Sequence, residues 1–157
     1  MRMTKDGIAL VQSFESCSLA AYRDVTGKLT IGWGRSRGVS EGDTCTQDQA
    51  DAWLAEDLAF FELAVLACVG VGKVTLTDNH LSALISFCFN VGLGYKGVKD
   101  GFKTLKSGEP STMLECLLKR EFEWAAAEFP KWSKAGGVEC AGILRRRLAE
   151  QKLFLTV

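Results

Sequence analysis

The sequence contains few of the residue types that build metal sites and disulfide frameworks. It has one histidine, His80, and two prolines among 157 residues, and no two of its six cysteines form a CxxC pair. A structural zinc site is therefore disfavoured, since such sites need cysteines and histidines at short spacings. The even number of cysteines permits three disulfides, but a helical chain of this length does not require them. We expect free, buried thiols, which are typical of a protein made in a reducing cytosol.

The sequence also lacks a net charge and a long apolar run. Nineteen basic and nineteen acidic residues balance, although residues 1–95 carry −4 and residues 96–157 carry +4. The chain has no concentrated basic face of the kind that binds nucleic acid, but a basic half favours approach to an anionic polymer. The first fifteen residues contain too short an apolar stretch for a signal peptide or a membrane anchor. We therefore expect no nucleic-acid partner and no integral membrane segment.

Length and pattern predict a single domain over residues 1–157, with two lobes around a cleft. Residues 18–45 are rich in glycine and contain the strand-forming segment KLTIGW. We expect a β-hairpin or three-stranded meander here, turning at VTGK, residues 25–28. Residues from about 68 to 157 carry apolar residues at helical spacing and form the predicted helical lobe. The predicted fold class is α+β, with helices dominant.

Several helix starts are marked by capping residues. Thr4 precedes a first helix that is predicted to end near Glu15. Thr46 and Gln49 form a capping box before a long helix, and Thr77 begins another. Further helices are expected over the segments STMLECLL, EFEWAAAEF (stopped by the following proline) and VECAGILRRRLAEQKLFL.

Three polar residues, Glu15, Asp24 and Thr30, accompany the most strand-like segment of the chain. A glutamate at a helix end beside Phe14 and Leu19 is partly shielded from water, and desolvation favours the protonated form that a general acid needs. An aspartate on a polar hairpin stays ionised, so the two carboxyls suit glycoside hydrolysis, and Thr30 can hold the attacking water. The alternative is structural, because a glutamate often ends a surface helix and D-V-T-G is a common turn in which Asp24 bonds its own backbone.

The spacing of these residues resembles the active-site signature of phage-type lysozymes, the endolysin family of lambdoid and related phages. Eight residues separate Glu15 from Asp24, and five more separate Asp24 from Thr30, which opens the segment TIGWG. The similarity continues, in the same order along the chain, in the segments LSALISFCFNVG, PSTMLECL, AAAEFPKWSKAGG and AGILRRRLAEQKLF. It covers nearly the whole sequence and implies the lysozyme-like fold.

The resemblance implies an enzyme that hydrolyses the β-1,4 bond between N-acetylmuramic acid and N-acetylglucosamine in peptidoglycan, without cofactor or metal. It implies that Glu15 is the general acid, and that Asp24 aligns the attacking water or stabilises the oxocarbenium-like transition state, with Thr30 helping to hold the water. Phe89 and Asn90 fall where the family lines its cleft and are the expected substrate-binding residues, although the spacing of Phe89 equally suits a core residue. The family is regarded as inverting, which implies a carboxyl separation on the order of 6.5–9.5 Å.

Two positions depart from the family pattern. Arg35 stands where many members have histidine, and Ser82 stands where many have aspartate. Neither is an expected proton donor. Arg35 and Arg37 suit the steering of an anionic glycan, but charges at a hairpin edge are more often simply solvated. In the last predicted helix, Arg146 and Glu150 are four residues apart and are expected to pair.

The resemblance further implies a monomer whose partners are the glycan strands of peptidoglycan. It would be made in the host cytoplasm without a signal peptide and would reach the periplasmic wall after a holin opens the inner membrane. Two alternatives stay open. A lytic transglycosylase cuts the same bond by internal attack and needs an acid but no water-aligning aspartate, and a non-catalytic wall-binding protein could share the fold. The presence of Asp24 and Thr30 together with Glu15 favours hydrolysis over both.

Overall fold

The computed structural model describes residues 2–24, 26–70 and 72–156. These residues are mostly helical, with small antiparallel hairpins, which confirms the predicted α+β class. None of the described helices has both the length and the apolar composition needed to cross a bilayer. The elements in chain order are α1 (Lys5–Phe14), β1 (Ser18–Arg23), β2 (Leu29–Gly32), α2 (Gln47–Val69), α3 (Asp78–Val91), α4 (Thr112–Leu118), α5 (Phe122–Glu128), a 3₁₀ turn (Phe129–Trp132), β3 (Lys134–Ala135), β4 (Val138–Glu139) and α6 (Ala141–Leu155).

Side chains that accept hydrogen bonds from the first helical turn fix the helix starts. The Thr4 hydroxyl accepts from the backbone N–H of Gly7 at 3.0 Å at the start of α1. Thr46 forms a reciprocal capping box with the third residue of α2, and Thr77 forms one at α3. These contacts satisfy N–H groups that have no partner within the helix. The predicted starts of α1, α2 and α3 are therefore confirmed.

Strands β1 and β2 form the hairpin that leads from α1 towards α2. Tyr22 pairs with Thr30, and a bulge separates this pair from the start of β1. The third strand of the predicted meander does not form in the described residues, where an isolated bridge joins Ala20 to Thr44. Val25, the first residue of the predicted turn, lies outside the described residues. Of the two predicted alternatives, the hairpin is confirmed and the three-stranded meander is not found in the described residues.

Helix α3 is the centre of the helical core. Residues 81–88 within it are all buried, and the helix packs against α1, α2 and α6. Phe87 meets the rings of Phe102, Phe129 and Trp132 edge to face. Burial of apolar area by these rings stabilises the fold by roughly 25 cal/mol per Å². Because α1 and α6 both pack on α3, the carboxyl end of α1 comes to lie beside the arginines of α6.

The boundaries near the C-terminus differ from those predicted. Val138–Glu139 forms β4 and pairs with β3, so the last helix begins after this strand, at Ala141. The short helix before Pro130 is confirmed, because α5 ends at Glu128, and Pro130 itself stands early in the 3₁₀ turn Phe129–Trp132. Proline suits the first turn of a helix, where its missing N–H has no intrahelical partner.

Candidate active site

Glu15 stands at the carboxyl end of α1, where the chain leaves the helix for β1. Its backbone N–H donates to the carbonyl of Val11 at 3.1 Å. Its own backbone is extended, with φ −103° and ψ 139°, so the helix ends here as predicted. The side chain of Glu15 is half-buried at the joint between the helical core and the hairpin.

The Glu15 side chain lines an open cavity of about 360 Å³. The rings of Phe61 and Phe89 meet edge to face in its wall, with centroids 6.0 Å apart. Asn90 adds an exposed amide, and Gly34 leaves the backbone open to a ligand. An apolar platform with a few polar groups is typical of a small-molecule or sugar site. The lining residues are Glu15, Gly34, Arg35, Ser36, Arg37, Asp57, Phe61, Phe89 and Asn90.

Glu15 pairs with an arginine from the last helix. Arg146 donates from Nη1 to Glu15 Oε1, from Nε to Glu150 Oε1 at 3.1 Å, and from Nη2 to the carbonyl of Ser86 at 3.3 Å. Arg146 is only 4% exposed, so its guanidinium is shielded from water. The predicted pairing of Arg146 with Glu150 is confirmed. Its contact with Glu15 spans 131 positions, and no pattern in the sequence indicated it.

Arg147 connects the same carboxylate to Asn90. Its Nη2 lies 3.1 Å from both Glu150 Oε1 and Asn90 Oδ1, and its Nε lies 2.9 Å from Glu150 Oε2. The guanidinium also sits over the ring of Phe87, 4.9 Å from its centroid. Burial lowers the pKa of Arg147 to about 10 and raises the pKa of Glu150, while the attraction between the two charges opposes both shifts. Two cavity residues, Glu15 and Asn90, are thus tied to one buried carboxylate.

Asp24 lies in the turn between β1 and β2 and is held by residues that closely follow it. Its Oδ1 accepts from the Thr26 hydroxyl at 2.7 Å, the Thr26 backbone N–H at 2.8 Å and the Lys28 backbone N–H at 2.9 Å. These donors, the Thr26 hydroxyl foremost, lower the pKa of Asp24, so the carboxylate is ionised near neutral pH. The prediction that Asp24 bonds the backbone of its own turn is confirmed by its contacts with Thr26 and Lys28. All three hydrogen bonds go to Oδ1, and Asp24 Oδ2 accepts none from the described part of the chain.

Thr30 is buried on β2, and its hydroxyl donates to the carbonyl of Lys28 at 3.1 Å. Lys28 therefore bonds both Thr30 and Asp24. Neither Asp24 nor Thr30 lines the cavity that contains Glu15. That cavity is bordered instead by residues 34–37, which follow β2. The structure thus brings Glu15 and both predicted substrate-binding residues into one cavity and keeps Asp24 and Thr30 together on the adjoining hairpin.

Arg35 is not the solvated edge charge that the hairpin position suggested. Its Nη1 lies 3.0 Å from Glu56 Oε2 and 4.0 Å from Asp57 Oδ1, both on α2. Its guanidinium lies 5.2 Å from the ring centroid of Trp53. Burial raises the pKa of Asp57, and the positive charge of Arg35 opposes that shift. The simple interpretation fails because β2 packs on α2, which brings carboxylates within reach of this long side chain.

A larger cavity of about 670 Å³ adjoins the first at Asn90. Lys131 pairs with Glu128 at 2.5 Å, whereas the other lysines of this cavity have no ion-pair partner among the described residues. Asp100 also lines it and accepts a backbone hydrogen bond at 2.6 Å. By contrast, no group of three or more histidine, cysteine, aspartate or glutamate side chains is placed to hold a metal ion in the described part of the chain. The lysines that line the cavity are Lys99, Lys106, Lys131 and Lys134.

Comparison with known proteins decides the family. The family model described as Phage lysozyme matches residues 12–150, a range that contains every residue of the candidate site. The chain belongs to the phage lysozyme family. It is therefore an enzyme of the lysozyme class, and the resemblance noted in the sequence is confirmed.

Relatives match over the full length of the chain. The endolysin of Acyrthosiphon pisum secondary endosymbiont phage 1 is 35% identical over 158 residues, covering 98% of each chain. A P22 lysozyme mutant is 32% identical with a TM-score of 0.79, covering 99% of each chain. The muramidase domain of SpmX from Asticaccaulis excentricus is 30% identical with a TM-score of 0.80, covering 99% of this chain and 98% of that one. The lysozyme-like fold thus includes both the hairpin and the helices.

Proposed function

We propose that the chain is a muramidase that hydrolyses the β-1,4 bond between N-acetylmuramic acid and N-acetylglucosamine in peptidoglycan. The observation that carries this proposal is the half-buried Glu15 carboxyl on the wall of an open cavity, beside Phe89 and Asn90. Such an acid can meet a glycosidic oxygen while a sugar ring packs on the aromatic surface and an acetamido group bonds the amide. Membership of the phage lysozyme family and similarity to a muramidase domain support the same bond.

Glu15 is the proposed general acid. It donates its proton to the leaving glycosidic oxygen as the bond from that oxygen to the anomeric carbon breaks. Arg146 holds Oε1 of this carboxyl. Glu15 Oε2 receives no hydrogen bond from the described residues and is therefore the oxygen proposed to meet the substrate.

Asp24 is the proposed partner carboxylate. Because it stays ionised, it suits a group that aligns the attacking water or stabilises positive charge developing at the anomeric carbon. Its Oδ1 is used by the turn, so Oδ2 is the proposed acceptor of the proton that the water loses. The Thr30 hydroxyl donates a hydrogen bond to the carbonyl of Lys28. The Thr30 oxygen is the proposed acceptor of a second hydrogen bond, from the water. Attack on the face opposite the leaving group then inverts the anomeric configuration.

The lysine-lined cavity suits the negatively charged peptide arms of peptidoglycan. It adjoins the Glu15 cavity through Asn90, so a glycan strand bound at one cavity carries its substituents towards the other. Three of its lysines have no ion-pair partner in the described residues, which leaves their charge available to carboxylates. We expect this surface to contribute to substrate binding and not to the chemical step.

The biological setting is part of the proposal. A monomer would be made in the host cytoplasm and would reach glycan strands in the periplasm after a holin opens the inner membrane. Culture turbidity after expression with and without a holin tests this route. We expect rapid lysis only when the holin is present, and lysis by the enzyme alone would contradict it.

The rate of reducing-end release from purified peptidoglycan tests the catalytic roles. Glu15→Gln keeps the side-chain shape but removes the transferable proton, so we expect kcat to fall about 10²–10⁴-fold. Asp24→Asn removes the charge that aligns water and should reduce kcat strongly as well. Glu41→Gln is the matched control, because Glu41 is an exposed carboxylate that pairs with Arg23 at 3.6 Å, and it should behave like the wild type.

Full activity in Glu15→Gln would overturn the assignment of the acid. Wild-type protein that binds peptidoglycan and releases no reducing ends would indicate a wall-binding protein of the same fold. Residual binding by Glu15→Gln distinguishes lost chemistry from lost folding.

A further inference from the structure

We infer that Glu150 is a positioning residue of the active site, which holds Arg146 against Glu15 and Arg147 against Asn90 and balances the charge of both arginines. This inference rests on the proposed role of Glu15 as general acid. Glu150 lies on α6, and 0% of its surface is exposed. It therefore cannot contact the substrate itself and acts through the two arginines.

The geometry places one carboxylate against both guanidinium groups. Arg146 and Arg147 precede Glu150 by four and three residues, spacings that bring side chains together on a helix. The Ser86 hydroxyl of α3 donates to Glu150 Oε1 at 2.7 Å and fixes the orientation of the carboxylate. The guanidinium groups then diverge, one to the end of α1 and the other towards the end of α3. A single side chain thus sets the position of both.

The charge of Glu150 matters as much as its position. A general acid must hold its proton until the substrate is bound, and a neighbouring arginine opposes this because positive charge favours the carboxylate form. Arg146 contacts Glu15, and Glu150 is the negative charge that pairs with both Arg146 and Arg147. Without it, the guanidinium of Arg146 would act on Glu15 alone. Glu150 therefore offsets the positive charge that faces Glu15.

The other titratable groups around this network do not replace the charge of Glu150. The Cys88 thiol of α3 faces it, but burial raises the pKa of Cys88 well above its ordinary value, so the thiol is neutral. Arg35, Arg37 and Asp57 line the cavity itself, where solvent and salt screen their charges.

The pH dependence of kcat/KM on purified peptidoglycan tests the inference. Glu150→Gln removes a negative charge, so the alkaline limb, which reports the essential acid, should move to lower pH. Arg147→Gln removes a positive charge and should move the same limb to higher pH. Opposite shifts distinguish charge balance from packing, because a loss of packing lowers activity in both variants without moving the limb. Unmoved limbs, or limbs that move in the same direction, would overturn the inference.

A second readout needs no turnover. The Glu15 carboxyl can be titrated by carbon NMR, with its signal assigned by comparison with Glu15→Gln, and it should show the same opposite shifts. If these shifts appear and the wild type releases no reducing ends, the proposed function fails and the coupling stands. If the enzyme is active and Glu15 titrates identically in all variants, the inference alone fails.

Two further variants control for folding. Loss of one partner from a buried ion pair lowers stability, so Tm is measured for every variant. The double variant Glu150→Gln/Arg147→Gln loses one charge of each sign and should return the limb to the wild-type position, and it tests the account if Glu150→Gln alone does not fold. Glu62→Gln is the matched control, because Glu62 is a buried carboxylate that accepts from the backbone N–H of Arg2. It should lower Tm and leave the limb in place. A double variant that keeps the shift of Glu150→Gln would contradict the inference.

Discussion

Glu15 and Asp24, the two carboxyl groups of the candidate site, are held by very different parts of the chain. The contact of Glu15 with Arg146 spans 131 positions, and its arginine is buried in the protein. The contacts of Asp24 reach only two and four positions along the chain and lie at the surface. One carboxyl depends on the whole fold and the other on a single turn.

This difference suits the two proposed roles. A carboxylate in a surface turn keeps its negative charge easily, because three donors and water all favour the ionised form. A carboxyl that must be protonated and then release its proton needs a controlled charge environment, and buried side chains provide one because water does not screen them. The chain therefore uses local structure where ionisation is simple and tertiary structure where it must be tuned.

The largest effect expected from this comparison is on stability. Arg146→Met leaves Glu150 with one arginine and removes the partner of Glu15, so the free energy of unfolding should fall by about 3–5 kcal/mol. Arg23→Met on the hairpin side breaks an exposed pair and should cost less than about 1 kcal/mol. Urea denaturation measures both. Equal losses in the two variants would remove the distinction between the buried and the exposed side of the site.

A moderate effect is expected from the lysine-lined cavity. Lys99→Gln and Lys106→Gln should each raise KM about two- to fivefold at low salt, with kcat unchanged, because each removes one exposed attraction for an anionic polymer. The difference from wild type should shrink as salt rises. Lys119→Gln, at the exposed end of α4, is the control. A fall in kcat in place of a rise in KM would show that these lysines act in the chemical step.

The smallest effect is expected in the Asp24 turn. Thr26→Val removes the hydroxyl that contributes most to the lowered pKa of Asp24, so that pKa should rise towards its ordinary value of 3.8. A carboxyl whose pKa is lowered by folding stabilises the protein above its ordinary pKa and loses that contribution as pH falls through the folded value. Since the proposed role of Asp24 needs the ionised carboxylate, the acid limb of the activity profile should move to higher pH as this pKa rises. Activity near neutral pH should be unchanged. An acid limb that stays in place would mean that Asp24 does not control it.

Local sequence was sufficient for much of the fold. Thr4, Thr46 and Thr77 mark helix starts because their hydroxyls act within one turn of the chain. Asp24 is held in the predicted turn for the same reason, since every side-chain contact described for it is with a residue that closely follows. Phe89 stands on the cavity wall that the family resemblance implied.

Contacts between distant elements were not predictable from one sequence. The carboxylates that pair with Arg35 lie on α2, and no spacing rule in the sequence connects Arg35 to that helix. The spacing of Arg146 and Glu150 predicted their pair, but the position of α1 against α6, which adds Glu15, follows only from their common packing on α3. The short strand at Val138–Glu139 forms only because β3 pairs with it, and its sequence alone resembles the start of a helix.

The most direct test of the central claim is mass spectrometry of the muropeptides released from purified peptidoglycan in water enriched in the heavy oxygen isotope. If Glu15 acts as the acid in a hydrolysis, the wild type should release products whose reducing-end muramic acid carries one heavy oxygen, and Glu15→Gln should release almost none. Anhydro-muramic products without heavy oxygen, formed equally by Asp24→Asn, would show that the bond is cut by internal attack and that Asp24 aligns no water.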